Sequence, residues 1–134
     1  MGVAIPEKVQ DWLKGTNFWH LVTLGPDGSP QSTPVWGSTD GTHVIVNSAK
    51  GRAKDRNVRS DPRVALSATN PEDPYEAVEI RGNVVDIVDG QPAEDGIDDL
   101  AEKYLGQRPY PYRSPGEQRV IYKIEPTYIG GYGD

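Results

Sequence analysis

The chain reverses direction at two short turns early in its length, and these constrain its fold more than any other feature. Pro26-Asp27-Gly28 separates the β-rich runs "NFWHLVTL" and "QSTPVWGS", and Thr39-Asp40-Gly41 precedes "THVIVNSA". Pro presets φ at such a corner, and Gly takes a positive φ at no steric cost. Strands joined this tightly pair antiparallel, since a parallel return needs a crossover of about a dozen residues or more. The three runs therefore predict an antiparallel meander.

The remaining segments continue that pattern. "IPEKVQDWLKG" predicts a short amphipathic helix, with Pro6 in its first turn, Val9, Trp12 and Leu13 at i, i+3 and i+4, and Gly15 at its end. After the third run, "SAKGRAKDRNVRSDPR" predicts a loop and a few helical turns that stop before Pro62. "RVALSAT" and "YEAVEIRGNVVDIV" read as strands around the turn "NPEDP", with Gly82 marking a bulge or bend. "QPAEDGIDDLAEKYLG" predicts an acidic helix with Ile97, Leu100, Ala101 and Leu105 on one side and Gly106 closing it. A Pro-rich loop, "QRPYPYRSPGEQ", leads to the last strand and tail, "RVIYKIEPTYIGGYGD". No βαβ period, repeat or domain boundary is visible, so residues 1–134 read as one domain. The expected fold is mainly β, about six antiparallel strands closed into a small barrel with short helices covering its ends.

Composition removes several classes of function. The chain has no cysteine, which excludes a disulfide framework, a thiolate nucleophile and a Cys-based metal site. His20 and His43 are its only histidines and show no HxxH or HExxH spacing, so no metal site is expected. "MGVAIPEKVQDWLKG" lacks an apolar signal core, no run has the length of a membrane span, and Pro6 stands where a myristoylation motif needs Ser or Thr. A soluble cytoplasmic protein is expected, with no membrane partner. The formal net charge of -6 argues against nucleic acid as a partner and leaves an RNA-binding barrel the weakest rival.

One segment runs against that acidity. Ser48 to Arg63 holds Lys50, Arg52, Lys54, Arg56, Arg59 and Arg63, six of the 14 basic residues. As a solvated surface helix this is mildly unfavourable, because like charges at i,i+3 and i,i+4 repel by a few tenths of a kcal/mol each and only Asp55 with Arg59 returns as much. As an anion site it has a mechanism. A strand ending in Asn47-Ser48 enters a helix through Gly51, and a helix N-terminus offers unpaired N–H groups beside the Arg52 fork and the Lys54 point charge. The residues alone leave both readings open.

Three stretches taken together, "FWHLVTLGPDGSPQSTPVW", "VIVNSAKGRAKDRNVRSDPRVALSA" and "VEIRGNVVDIV", resemble the pyridoxamine-5′-phosphate-oxidase-like split-barrel flavoproteins. Within them the chain is most similar to the B-type flavin/deazaflavin oxidoreductases of actinobacteria. The resemblance implies an FMN-binding type of split β-barrel, assembled as a homodimer with two cofactor sites at the interface. It implies coenzyme F-420, an 8-hydroxy-5-deazaflavin, as cofactor, with FMN the alternative, and hydride transfer to an electron-poor small-molecule substrate. A pyridoxamine-oxidase-like FMN enzyme and a non-catalytic cofactor carrier are the alternatives on the same fold. The ending "YIGGYGD" has no counterpart of the substrate-phosphate residues of the dedicated pyridoxamine oxidases, which disfavours pyridoxamine phosphate.

Carried over by position, Arg52 and Lys54 would hold the cofactor phosphate, with Asn47 and Ser48 beside it and Asn57 in the same helix. Gln31, Pro34 and Val35 would run along the ring. Tyr75, Glu76, Ala77 and Val78 would reach the cofactor, often from the neighbouring subunit. Lys50, Arg56 and Arg59 around the Arg52/Lys54 pair favour the more anionic deazaflavin. No catalytic residue is implied. His20, on a strand face with Phe18, Val22 and Leu24, reads first as a core histidine and second as a proton donor. His43 reads as a surface residue. Trp36 either walls a pocket or packs in the barrel, Tyr110 and Tyr112 are lid or interface residues, and Glu94, Asp95, Asp98, Asp99 and Glu102 read as a solvated helix face.

Overall fold

The computed structural model describes residues 2–132. Its elements, in chain order, are α1 (Glu7–Lys14), β1 (Phe18–Leu24), β2 (Pro30–Thr39), β3 (Val44–Ala49), α2 (Ala53–Ser60), β4 (Arg63–Asn70), β5 (Asp73–Asp89), α3 (Gln91–Leu105) and β6 (Arg119–Tyr132). The strands close into an antiparallel barrel in the order β1-β2-β3-β6-β5-β4. Among the described residues no helix is long and apolar enough to cross a membrane.

The two turns form as their chemistry requires. Asp27 Oδ1 accepts the Ser29 N–H at 3.0 Å, and Asp40 Oδ1 accepts those of Thr42 and His43 at 2.9 and 2.7 Å. Gly28 and Gly41 both take positive φ. His43 is partly buried rather than fully at the surface, its ring 3.0 Å from Asp40 Oδ2. The strand faces differ from one expectation. Trp19, Leu21 and Thr23 point inward, while Phe18 and His20 are exposed and Val22 and Leu24 half-covered. His20 is therefore not a core histidine. The alternation of "FWHLVTL" fits either face, and the indole of Trp19 takes the interior.

Gly37 and Gly82 show where a side chain would be intolerable. A Cβ on Gly37 would stand 2.8 Å from the Trp19 ring, and one on Gly82 would stand 2.3 Å from the Glu125 carbonyl oxygen. Gly82 sits at a register shift between β5 and β6, the bulge its position implied. The C-terminal "YIGGY" is no tail: it extends β6 and pairs with β5 as far as Ala77↔Tyr132. On α3, Ala93, Ile97, Leu100 and Ala101 are buried, whereas Leu105 is exposed because the helix ends there.

One end of the barrel is closed by α2, held by a buried polar hub. The Tyr122 hydroxyl donates to Asp55 Oδ1 at 2.7 Å, and Asp55 Oδ2 accepts from Gly51 N–H and Arg59 Nε, both at 3.1 Å. Burial opposes the Asp55 charge, yet these three donors hold its carboxyl below the usual range. Burial and the neighbouring carboxylate hold the Tyr122 phenol above its own. A depressed aspartate contributes stability that is present above its unfolded pKa and lost as pH falls through the folded one. Replacing Tyr122 by Phe is therefore expected to cost about 1.5–3 kcal/mol at neutral pH, the range for a hydrogen bond to a charged group. In urea melts across pH, the difference from the native protein should shrink as pH falls below the ordinary aspartate value of about 4. A difference that does not change with pH would show that the hub is not held by the Asp55 charge.

Candidate functional site

Where β3 runs into α2, a cleft of about 270 Å³ opens between the barrel, α3 and the Pro-rich loop. Its cationic end holds Arg52, Lys54 and Arg119. Pro34, Val35 and Trp36 of β2 form one wall with Phe18, Ile97 and Leu100 of α3 form another, and Tyr110 of the loop stands across. The walls are braced from behind. Trp36 stacks on Tyr104 with centroids 5.1 Å apart and planes at 11°, and Tyr110 meets Trp36 edge-on at 6.0 Å. Tyr104 is fixed in turn, its hydroxyl accepting from Gly37 N–H and donating to the Asn17 carbonyl. Trp36 thus walls the cleft rather than filling the barrel.

The basic run divides into residues tied up locally and residues that face this cleft. Lys50 pairs with Asp89, Arg59 with Asp55 and Arg63 with Asp61, while Arg56 donates to the Gly51 carbonyl. Those residues therefore have partners of their own outside the cleft lining. Arg52 and Lys54 remain at the cleft. Lys54 makes no ion pair among the described residues; burial and then the Arg52 and Arg119 guanidiniums hold its ammonium below the usual lysine range.

Arg119 is the residue that sequence reasoning missed. It opens β6 opposite Ala49, so the strand pairing carries it to the point where β3 leaves the sheet. Only 3% exposed, it donates from Nε to Asn47 Oδ1 at 2.9 Å, and its guanidinium lies 5.4 Å from the Tyr110 ring centre. Burial lowers its pKa, an effect that Glu117 offsets and Arg52 reinforces. Asn47 also donates to the Ala93 carbonyl at 2.9 Å, so its amide positions Arg119 and α3 while lining the cleft.

The other expected site residues lie elsewhere. Ser48 is buried under the sheet at 1% exposure. Asn57 donates to Thr23 Oγ1 and Gln31 Oε1 at 3.0 and 3.2 Å, which joins α2 to β1 and β2 and uses both side chains for that purpose. Glu76 accepts from Asn70 and Lys8, Tyr75 is exposed, and Ala77 and Val78 line a separate groove beside α1. His20 pairs in register with Pro34 and Ser67 on the outer face and is not part of the cleft lining.

The acidic face of α3 is not simply solvated. Asp98 accepts the Tyr110 N–H at 2.9 Å and an Arg113 N–H at 2.9 Å, Asp99 takes Arg108 at 2.7 Å, and Glu94 takes Arg113 and the Arg119 N–H. These contacts hold the Pro-rich loop over the cleft. Asp98 is kept below its usual range, chiefly by the Tyr110 amide. Replacing Asp98 by Ala is expected to remove about 1–2 kcal/mol of local stability from the loop. Hydrogen exchange should then quicken across residues 107–118 with the β3–β6 amides unchanged; uniform quickening would mean the loop is not held there.

Known proteins share this architecture. A solved structure described as an F420 reductase is 34% identical, with a TM-score of 0.81 over 94% of this chain and 98% of that one. A conserved hypothetical protein from Mycobacterium tuberculosis is 22% identical, with a TM-score of 0.75 over 98% and 86% of the two chains. A putative pyridoxamine 5′-phosphate oxidase from Listeria innocua, also 22% identical, gives 0.67 over 93% and 95%. No curated protein matches the chain. Residues 5–132 match the family described as pyridoxamine 5′-phosphate oxidase, and with a closed six-stranded barrel of that type the chain belongs to this family of split-barrel proteins.

Proposed function

We propose that the protein is an oxidoreductase that binds coenzyme F-420 in the cleft and passes a hydride between the reduced deazaflavin and an electron-poor small molecule. The observation that carries this reading is the convergence of Arg52, Lys54 and Arg119 at one end of a cleft whose other walls are aromatic and apolar. Guanidinium and ammonium donors make the charge-assisted bonds that a phosphate needs, and a planar ring suits the wall built on Trp36 and Pro34. The buried Arg119 Nη1, which among the described residues has an ion pair with Glu117 at 3.3 Å but no hydrogen-bond partner, fits an anionic group in particular. Similarity to a protein described as an F420 reductase supports the deazaflavin over FMN.

When bound, the deazaflavin supplies the two-electron hydride chemistry itself. The chain's part is to bind, orient and exclude water. Arg52 and Lys54 would hold the phosphate, and the braced Trp36 and Tyr110 would give the ring apolar neighbours. His20 lies outside the lining, and solvent is assigned as the source of the proton for the reduced product.

The same reading makes the protein a homodimer. On their own chain Tyr75, Glu76, Ala77 and Val78 are remote from the cleft, so they would serve the cofactor of a second copy. Phe18 at 63% exposure and Tyr75 at 79% are apolar surface that such an interface would cover.

Fluorescence titration of the purified protein with F-420 and, separately, FMN tests the reading. F-420 is expected to bind preferentially, at micromolar or tighter affinity, and the Arg52→Ala/Lys54→Ala double variant should bind roughly 100-fold more weakly. Preference for FMN would move the protein to the flavin branch, and binding of neither would overturn the site. Binding of F-420 without faster reoxidation by any acceptor would make it a carrier. Light scattering should give twice the mass of the 134-residue chain.

A further inference from the structure

Two of the cations lining the cleft, Arg52 and Arg119, share a carboxylate that is not itself a lining residue, and its geometry is unusual for a structural ion pair. Glu117, near the end of the Pro-rich loop, has a side chain only 7% exposed, with Oε1 3.2 Å from Arg52 Nη2 and 3.3 Å from Arg119 Nη1. Among the described residues its other oxygen, Oε2, has no hydrogen-bond partner, and Arg119 Nη1 meets Oε1 as an ion pair without a hydrogen bond. One oxygen therefore neutralises two guanidiniums while a buried acceptor and a buried donor stay unmatched. Lys54, the third cation lining the cleft, makes no ion pair among the described residues.

A buried carboxylate is expensive to desolvate, and removing it would leave Arg119 as an uncompensated buried charge. Glu117 thus answers a need of the free protein. A phosphate answers the same need better, since its several acceptor oxygens reach Arg52, Lys54 and Arg119 with aligned, charge-assisted bonds. Carboxylate and phosphate compete for the same donors, and like charges do not share them without a penalty.

We propose that Glu117 is a resident counter-ion: it bridges Arg52 and Arg119 in the free protein and gives way to the phosphate of the incoming cofactor. The inference rests on reading the cleft as a phosphate site. It makes Glu117 a determinant of cofactor affinity, set against binding, and assigns Arg119 to the phosphate ligands. The competing role, in which Glu117 merely orients the two arginines for the ligand, has the opposite sign: its loss would then weaken binding.

The test compares the native protein with Glu117→Gln. Affinities for F-420, for FMN and for the deazaflavin nucleus lacking its phosphate are measured by fluorescence, and melting temperatures are taken with and without inorganic pyrophosphate. Loss of the competing charge is expected to tighten F-420 binding about tenfold, and FMN binding where it occurs, with the phosphate-free nucleus unaffected. The variant should melt lower than the native protein alone and recover more with pyrophosphate. If Glu117→Gln does not fold, Glu117→Asp, which keeps the charge but draws it away from the guanidiniums, is expected to show the same directions with smaller size. A cofactor that binds the native protein but binds the variant no tighter, or more weakly, overturns the exchange and leaves the cofactor reading standing. Greater stabilisation of the variant by pyrophosphate, with neither F-420 nor FMN binding either protein, upholds the exchange and removes the cofactor reading. No response to any of these ligands removes both.

Discussion

The pairing of β3 with β6 is the contact on which the rest of this structure depends. It closes the barrel, and its register sets Asn47 opposite Ile121, Ser48 opposite Val120 and Ala49 opposite Arg119. The last of these pairs lies where the chain leaves the sheet for the basic segment. A cation from the start of the final strand and two from the start of α2 are therefore brought together by backbone hydrogen bonds rather than by mutual attraction, which between like charges would be repulsive. Asn47 then fixes the arrangement, accepting from Arg119 and donating to the Ala93 carbonyl of α3. A shift of one residue would turn these side chains to the opposite face and dissolve the cleft.

The electrostatics follow from burial more than from count. Lys50, Arg59 and Arg63 each find a nearby carboxylate; the Lys50–Asp89 and Arg63–Asp61 pairs are largely exposed and contribute little, while Arg59 serves the buried Asp55. Six basic residues in one short segment are in that sense less remarkable than the sequence suggests. What matters is that Lys54 and Arg119 are withdrawn from solvent beside Arg52, where repulsion is poorly screened. An acidic chain can hold a local anion site because the site's field is decided by the few charges behind a low-dielectric wall.

Local chemistry made much of the fold legible. The Asp-Gly turns, the α2 stop before Pro62, the bulge at Gly82 and the αL closure at Gly106 all follow from the preferences of a few adjacent residues. Facts of register and partnership were not legible. "FWHLVTL" has apolar residues on both faces, so alternation alone does not say that His20 looks outward. Arg119 gives no signal in "QRVIYKI" until β6 is laid beside β3. The acids of α3 read as solvated because the arginines they bind, Arg108 and Arg113, sit in a loop with no periodicity of its own. Of the cofactor residues implied by resemblance, Pro34, Val35, Asn47, Arg52 and Lys54 line the cleft, whereas Gln31, Ser48 and Asn57 serve packing and strand-to-helix bonding within one chain.

The shape of the cleft is specified by α3 more than by the residues that line it. The helix buries an apolar face against the barrel, binds the Pro-rich loop through its acidic face, and near its C-terminus pins β2 behind Trp36. There Lys103 donates to the carbonyls of Leu13 and Gly37 at 2.9 and 2.7 Å, and Tyr104 carries the stacked indole. Burial brings Lys103 down to about 8, and it makes no ion pair among the described residues. Between that value and the ordinary lysine pKa of about 10.4, the unfolded chain keeps a proton that the folded one has released, so this group adds stability as pH rises. That sign is opposite to the one a salt-bridged lysine would give. Deprotonation also leaves two N–H donors for two carbonyls, so the staple survives the loss of its charge. The wall behind the cleft is accordingly held by hydrogen bonds that do not depend on ionisation, whereas ionic contacts hold the Pro-rich loop to α3 and join Glu117 to Arg52 and Arg119.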